Sequence, residues 1–132
     1  TKSGKIEFNF NKMNDNKEES RFRLLTNHSK DTLFSQHVMD EKGPAKAYIN
    51  NKEAKKLNIN EEENVSLISD NGKITVQIII DDCIGDNIVM MYVGWWRKHG
   101  NPNYITMSGI SDIGGQVTYN ETLVEIVKEK GE

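Results

Sequence analysis

The sequence predicts a mostly-β fold, with a barrel as its most sensible architecture. Two observations carry this prediction. About six or seven short segments are either apolar throughout or alternate between apolar and polar residues, as strands do, while only one segment carries clear helix signals. At 132 residues the chain forms one domain, large enough to bury a core without disulfides or metal ions.

The predicted strands are short and are separated by polar turns. They cover residues 6–10, 21–26, 47–49, 65–69, 73–80, 88–93 and 122–127. Asp70-Asn71-Gly72 predicts a tight hairpin, because an Asn-Gly pair accepts positive φ. Alternate residues of the two flanking strands, from Val65 and from Ile74 onward, are apolar. This alternation predicts that both strands cover a common core.

A single helix is predicted directly after the strand at 47–49. Asn50 can cap its N-terminus, and Glu53, three positions on, completes a capping-box arrangement. Ala54 and Leu57 form the apolar face of this helix. Asn58 can end the helix in the left-handed conformation.

Three segments lack a regular pattern. Residues 11–20 predict a flexible connection, 32–43 a loop with one helical turn, and 107–116 irregular backbone. The chain therefore divides into a lead-in strand and linker over residues 1–20 and a barrel domain over 21–132. Long loops in a compact domain usually have a function, so the loops are where a binding site is expected.

Composition excludes several classes of function. The net charge is −3 and no segment collects basic residues, which argues against a nucleic-acid partner. No apolar run approaches the length of a membrane span, and no signal peptide is evident. Cys83 is the single cysteine, so an internal disulfide and a multi-cysteine metal site are excluded. Its surroundings predict a small buried residue near a turn.

The titratable residues do not form a catalytic motif. His28, His37 and His99 are far apart, and none has a second ligand at metal-binding spacing. A nucleophile elbow, a phosphate-binding P-loop and a dinucleotide fingerprint are all lacking in the sequence. The residues therefore predict a binding module without catalytic or metal-ligating groups of its own.

The best candidate for a binding site is the loop that follows the strand at 88–93. It contains both tryptophans of the chain, and Gly94 lets a ligand or another backbone approach closely. The donors of this loop suit phosphate or a polar heterocycle; they are Arg97, Lys98, Asn101 and Asn103. A simpler interpretation is that one tryptophan belongs to the core and the basic residues are solvated. The predicted site joins this loop, residues 94–106, to the loop over residues 26–37.

Several motifs follow one another in the order found in one family. They are Thr1-x-Ser3-Gly4-Lys5-Ile6-Glu7, Leu24-Leu25-Thr26, Tyr48-Ile49-Asn50-x-x-x-Ala54-x-x-Leu57-x-Ile59, Gly72-Lys73-Ile74-x-x-Gln77, Trp95-Trp96, Asn103-x-x-Thr106 and Ser111-Asp112 up to Tyr119. In this order the chain resembles the molybdopterin-dinucleotide-binding domain of molybdenum and tungsten oxidoreductases of the dimethyl sulfoxide reductase type, which include formate dehydrogenases and nitrate reductases. The Asn-x-hydrophobic-Thr spacing is the most specific of these motifs.

The resemblance implies a double-psi β-barrel with one or two short helices. It further implies the C-terminal domain of a larger oxidoreductase, binding molybdopterin guanine dinucleotide with molybdenum or tungsten. The metal ligand and the iron–sulfur cluster would belong to preceding domains, which share the cofactor with the barrel. An isolated barrel would then be a cytoplasmic monomer without bound cofactor and without catalysis.

The resemblance also assigns roles to individual residues. Thr26, Asn27 and His28 would contact the pterin or its diphosphate. Trp95 and Trp96 would wall the pterin, Asn103 would hydrogen-bond its amide-like edge, and residues 116–119 would lie beside the second pterin. The full set of predicted cofactor-binding residues is Thr26, Asn27, His28, His37, Gly94, Trp95, Trp96, Asn103, Thr106, Gln116 and Tyr119.

Two other functions are known for barrels of this kind. A stand-alone double-psi barrel can bind proteins or peptides, as the amino-terminal domain of some AAA ATPases does. That function predicts a basic or apolar groove and leaves Trp95, Trp96 and Asn103 unexplained. A self-processing decarboxylase of the same fold needs a Gly-Ser cleavage pair, and the sequence contains none.

Overall fold

The structure is a computed structural model, and it describes residues 4–6, 21–30, 42–111, 114–118 and 120–129. Several sequence predictions lie outside these residues. They are the strand at 6–10 beyond its first residue, the linker at 11–20, the loop at 32–43 up to residue 41, His37 and Tyr119.

In the described residues the chain is mostly β, as predicted. The strands are β1 (Phe22–Asn27), β2 (Ala45–Ile49), β3 (Asn64–Ser69), β4 (Gly72–Ile80), β5 (Ile88–Tyr92), β6 (Gly109–Ile110), β7 (Val117–Thr118) and β8 (Leu123–Lys128). Six of them close a barrel in the order β1-β5-β2-β4-β3-β8, and β6 pairs with β7 in a separate two-stranded sheet. The closed sheet leaves no unpaired edge in the barrel.

Two pairs of strands in the barrel are parallel. β1 lies parallel to β5, and β2 lies parallel to β4, whereas the remaining neighbours are antiparallel. Parallel neighbours cannot be joined by a tight turn, so each pair needs a connection that crosses over the barrel. This arrangement of two crossed parallel pairs is consistent with a double-psi barrel.

The barrel interior is filled by aliphatic side chains from every strand of the closed sheet. The fully buried members include Leu24, Ile49, Leu67, Ile78, Met91 and Val124. In β4 the buried positions alternate at Ile74, Val76 and Ile78, as the sequence predicted. In β3 the polar Ser66 is buried between Val65 and Leu67, so both faces of this strand are covered there and only its apolar residues alternate as predicted.

The hairpin between β3 and β4 forms as predicted, but the predicted reason is wrong. Ser69 pairs with Gly72, so Asp70 and Asn71 form the turn, and neither of these two residues nor Gly72 has a positive φ. Gly72 is needed for close approach instead, since a Cβ there would lie 2.7 Å from the backbone oxygen of Tyr104.

The helix α1 (Asn51–Leu57) is bounded by the predicted caps. The Asn50 side chain accepts a hydrogen bond from the Glu53 N–H at 2.8 Å, which satisfies one of the first free donors of the helix. Asn58 has φ 54° and closes the helix in the left-handed region. Ala54 is buried and joins the core, as expected for the apolar face.

Two further predictions are wrong. Residues 109–110 form β6 within the segment 107–116, where irregular backbone was predicted, and pair with β7 at residues 117–118; two paired residues on each strand are too few to produce a readable pattern. Cys83 is exposed rather than buried, because it lies on the polar turn before β5. In the described part of the chain, no helix is long and apolar enough to cross a membrane.

Candidate functional site

A cleft of about 770 Å³ lies where β1 and β5 end. We call it the tryptophan cleft, and its lining residues are Thr26, His28, Val93, Gly94, Trp95, Trp96, Arg97, Asn101, Asn103 and Asn120. Its volume falls in the range of small-molecule sites, about 300–1,000 Å³. The lining combines aromatic surface with amide, imidazole and guanidinium groups, which suits a flat and polar ligand.

The parallel pairing of β1 and β5 explains why two distant loops meet at this cleft. Asn27 pairs with Tyr92, so the carboxyl ends of both strands reach the same edge of the barrel. The residues that follow each strand, from His28 and from Val93, are therefore brought together although they are far apart in sequence. This juxtaposition is the one that the sequence predicted for the candidate site.

Alternation along β1 selects which of its residues line the cleft. Successive side chains of a strand point to opposite faces, so Thr26 and His28 share one direction and Asn27 has the other. Both Thr26 and His28 line the tryptophan cleft, whereas Asn27 does not. The Asn27 backbone oxygen accepts a hydrogen bond from the Val93 N–H at 2.9 Å, which holds the two loops together.

The loop over residues 93–106 is fastened to the barrel by buried side chains. Trp95 is 3% exposed and Ile105 is fully buried, and both belong to the hydrophobic core. Two short 3-10 turns, Arg97–His99 and Pro102–Tyr104, make the loop compact. The Asn101 side chain caps the second turn by accepting a hydrogen bond from the Asn103 N–H at 2.8 Å. The loop therefore presents its polar groups from a fixed backbone.

The loop also touches β4 closely enough to require glycine. A Cβ at Gly100 would lie 2.7 Å from the Thr75 backbone oxygen, and the φ of Gly100 is +101°. Asn71 Nδ2 donates a hydrogen bond to the Thr106 backbone oxygen at 2.8 Å and adds a polar contact between the β3–β4 turn and the loop. These contacts attach the loop to the rest of the barrel at Gly100 and at Thr106.

The two tryptophans have different environments. Trp95 is in the core, as the simpler interpretation of the sequence predicted for one of the pair, and reaches the cleft with only a small part of its surface. Trp96 is 41% exposed, and Lys98 Nζ lies 5.1 Å from the centroid of its ring. Trp96 therefore offers the larger aromatic surface.

The structure brings together six of the eleven predicted site residues in the tryptophan cleft: Thr26, His28, Gly94, Trp95, Trp96 and Asn103. Thr106 and Gln116 are described but do not line it. The Thr106 N–H donates to the Pro102 oxygen, and the Gln116 backbone bonds to Ser111 across the β6–β7 ladder. Their assigned roles, and that of Asn27, stay predictions.

Sequence reasoning missed Asn120. Its Oδ1 accepts a hydrogen bond from the Thr26 N–H at 3.2 Å. β8 runs antiparallel to β1, with Phe22 opposite Val124, and continuing this register places residue 120 opposite Thr26. Because the contact spans 94 positions, no local pattern could have revealed it.

A second cavity, of about 420 Å³, lies on the other side of Arg97. We call it the basic cavity, and it is lined by Pro44, Lys73, Ile74, Thr75, Arg97, Lys98, His99, Gly100 and Tyr104. Lys73 on β4 lies far in sequence from Arg97 and Lys98, so the fold brings these three cations together. Arg97 lines both cavities.

The described residues whose pKa values are shifted lie outside the tryptophan cleft. Lys52 holds the pKa of Asp86 below its usual range through a hydrogen bond. The Asp81 carboxylate raises the pKa of the Cys83 thiol, because it accepts a hydrogen bond from the thiol and carries a negative charge. A raised thiol pKa argues against a nucleophilic role for Cys83. Among the described residues no cluster of three His, Cys, Asp or Glu side chains could hold a metal ion.

The fold and the cleft define a ligand-binding barrel whose site is formed by loops at the ends of two parallel strands. The sequence over residues 21–123 matches the family model described as molydopterin dinucleotide binding domain. This match covers most of the chain, and the protein belongs to that family. The resemblance inferred from the order of its motifs is thereby confirmed.

Among solved structures, the chain is similar to acetylene hydratase from Pelobacter acetylenicus, with a TM-score of 0.71 and 13% sequence identity. The similarity covers 85% of this chain and 19% of the hydratase. At this identity it shows a shared fold. The chain thus spans about a fifth of the length of the hydratase chain. No curated protein matches the sequence.

Proposed function

We propose that the tryptophan cleft binds the pterin part of a molybdopterin dinucleotide. The observation that carries this proposal is the convergence of Thr26 and His28 with Trp96 and Asn103 in one cleft of a chain from this family. The cofactor would supply the redox-active metal, while this chain would bind and orient the pterin.

The residues of the cleft fit the chemistry of a pterin. A pterin is flat and carries several ring nitrogens and an amide-like edge, so it needs one aromatic face and several donors and acceptors. Trp96 offers the face, and Asn103 is exposed on the adjacent 3-10 turn, where its amide can both donate and accept. The Arg97 guanidinium and the His28 imidazole suit the negative charge of a diphosphate. Thr26 and Asn120 complete the floor on the β1 side.

The finer features of the function belong to the same proposal. The form bound is the guanine dinucleotide with molybdenum or tungsten, and the chain acts as the C-terminal domain of a cytoplasmic oxidoreductase of the formate dehydrogenase type. Residues 1–20 serve as the lead-in and 21–132 as the binding domain. Preceding domains carry the metal ligand and the iron–sulfur cluster, and the separate barrel is monomeric. The family of the chain and the short share of the hydratase that it spans support this division of labour.

Substituting Asn103 by alanine tests the proposal. In the oxidoreductase that contains this domain, Asn103→Ala should lower pterin and molybdenum or tungsten content, because a buried polar edge of the cofactor would lose its partner. The loss of one such hydrogen bond corresponds to about 1–3 kcal/mol, or roughly 5- to 150-fold in retention. Metal analysis and pterin fluorescence after gel filtration measure this content.

The matched control is Asn64→Ala. Asn64 is also exposed, begins β3 and does not line the tryptophan cleft. Its substitution should leave cofactor content unchanged, while circular dichroism should show both variants folded. Equal cofactor content in Asn103→Ala and the parent protein would contradict the site assignment.

The alternative of a protein- or peptide-binding module predicted a basic or apolar groove. The basic cavity is the observation that favours it, but its volume of about 420 Å³ is that of a small-ligand site. Binding of an extended peptide also leaves the tryptophan cleft without a role. Cofactor binding therefore accounts for more of the structure.

A further inference from the structure

The basic cavity has a composition that the pterin site does not explain. Lys73 reaches it from β4, and Arg97 and Lys98 reach it from the first 3-10 turn of the loop. These three cations converge on one cavity in a chain whose net charge is −3. A concave surface lined by one sign of charge concentrates the field and attracts anions.

The cations are held without being neutralised by ion pairs. Within the described residues, no carboxylate lies at ion-pair distance from any of the three. A neighbouring anion is Glu129, whose carboxylate accepts hydrogen bonds from the hydroxyls of Thr75 and Ser66; these bonds and the charge of Lys73 lower its pKa. One carboxylate against three cations leaves the cavity positive.

Aromatic rings position two of these cations. The Arg97 guanidinium carbon lies 5.4 Å from the centroid of the Tyr104 ring, and Lys98 Nζ lies above Trp96. A guanidinium placed over a ring by a cation–π contact still has its N–H donors to offer to phosphate oxygens. The two contacts therefore restrain the cations before a ligand arrives.

A buried acceptor lies in the same wall. His99 is 8% exposed, and its Nδ1 lies 2.6 Å from the Gly43 backbone oxygen. Since a carbonyl can only accept, Nδ1 carries the hydrogen and Nε2 is left with a lone pair in the neutral ring. Within the described residues Nε2 is buried and has no hydrogen-bond partner. A buried polar atom of this kind points to a ligand that completes its hydrogen bonding.

We propose that the basic cavity is a phosphate-binding site. Lys73, Arg97 and Lys98 bind the phosphate oxygens, and His99 Nε2 accepts a hydrogen bond from the P–OH group of the phosphate. A phosphate group fits both observations, because it is anionic and, in the monoanion that exists around its second pKa of about 6, it keeps a P–OH group that can donate a hydrogen bond. Sulfate has the same negative charge and hydrogen-bond-accepting oxygens, but it has no proton to donate. The phosphate is that of a separate phosphorylated small molecule, because the diphosphate of a dinucleotide has no P–OH group that could donate to His99.

Titration of the chain with inorganic phosphate tests the site. Amide shifts in a nitrogen–proton correlation spectrum, at an ionic strength held constant with sodium chloride, should saturate and should cluster at residues 73–75 and 97–100. Phosphate should bind roughly 3- to 10-fold more tightly than sulfate, as expected for one added hydrogen bond. Shifts that do not saturate, or equal affinities for the two anions, would overturn the proposal.

Two charge-removing variants locate the binding. Lys98→Met and Lys73→Met keep the side-chain length on the protein surface, and each should weaken phosphate binding about tenfold, as expected for one charged hydrogen bond. The control Lys55→Met removes an equally exposed charge from the last turn of α1, away from the cavity, and should change affinity less than twofold. An equal loss in all three variants would show a general ionic effect and no site.

The source of the phosphate is decided in the cofactor-loaded oxidoreductase, an arm that rests on the proposed function. If the phosphate belongs to a separate ligand, the loaded protein still binds inorganic phosphate, and Lys73→Met leaves cofactor content unchanged. If bound cofactor blocks phosphate binding and Lys73→Met lowers cofactor content, the cavity holds the diphosphate of the dinucleotide, and the proposal is wrong. The titration of the cofactor-free chain does not depend on the proposed function.

Discussion

The wall of the barrel and the loop over residues 93–106 are made of different residues and are specified in different ways. In β4 of the wall, buried side chains recur at every second position from Ile74 to Ile78, and the strand pairings bury the apolar residues of the wall together. In the loop, the buried side chains Trp95, His99, Pro102 and Ile105 are separated by exposed polar groups and do not show the alternation of a strand. The difference shows that the site depends on anchoring rather than on regular structure. A few buried residues fix the loop backbone, and the residues next to them present their side chains to the ligand.

Truncating Trp95 should have the largest effect, because it removes the main anchor of the loop. Trp95 is almost fully buried in the core, so Trp95→Ala should lower the free energy of unfolding by about 3–5 kcal/mol. Urea unfolding of the chain, followed by circular dichroism, measures this change. The variant should also lose the shape of the tryptophan cleft.

Trp96→Ala is the matched control for this prediction. Trp96 has the same side chain one position further along, but it is much more exposed. Its loss should change stability by less than about 1 kcal/mol, in line with a surface residue and one cation–π contact. If the two variants were equally unstable, the distinction between anchoring and presenting residues in this loop would be wrong.

The same contrast explains what could be predicted from the sequence. The strands of the wall and the caps of α1 depend on neighbours in sequence: Asn50 and Glu53 are three positions apart, and the hairpin forms within four residues. The loop at 94–106 could be recognised as a site because its aromatic and amide residues are concentrated in one segment. The resemblance of its motifs to one family then named the cofactor.

The contacts that complete the site could not be predicted, because they join distant segments. Asn120 reaches Thr26 through the register of β8 on β1, and Lys73 reaches the basic cavity because β4 passes beneath the loop. Gly72 shows the same limit, since Asn-Gly predicted the hairpin while the glycine itself is required by the Tyr104 backbone. The local sequence therefore predicted the position of the turn correctly but not the reason why a glycine stands at residue 72.

Gly100→Ala should have an intermediate effect and sharpens the account of how the loop meets the wall. An alanine there would adopt a strained φ and would also place its Cβ 2.7 Å from the Thr75 oxygen. We expect a loss of about 2–3 kcal/mol or more in the free energy of unfolding, since overlap with backbone adds to the strain of the left-handed conformation. Thermal or urea unfolding measures it.

Gly43→Ala separates these two causes. Gly43 has a similar φ, +95°, but a Cβ there would have nothing within 4 Å. Only the conformational strain should remain, at about 1–2 kcal/mol. A loss in Gly43→Ala as large as that in Gly100→Ala would mean that the contact between loop and β4 contributes nothing.

Acid should weaken the barrel through the carboxylates on its outer surface, and this is the smallest of the expected effects. Hydrogen bonds from Thr75 and Ser66 lower the pKa of Glu129 below its ordinary value of 4.5, and a hydrogen bond from Lys128 lowers the pKa of Glu63 in the same direction. Below pH 4.5 the unfolded chain therefore binds more protons than the folded chain. The stabilisation is complete above that pH and is lost as the pH falls through the lowered values.

Urea midpoints between pH 6 and pH 3 measure this loss, and Glu129→Gln should make the midpoint less dependent on pH below 4.5. Glu121→Gln, on the exposed segment before β8, is the control that removes a carboxylate without these hydroxyl donors. None of the shifted carboxylates lines the tryptophan cleft, so acid should act on the wall and leave the anchoring of the loop by Trp95 unchanged. A pH dependence that vanished in Trp95→Ala but persisted in Glu129→Gln would instead locate the titrating groups in the loop and remove the separation between the two regions.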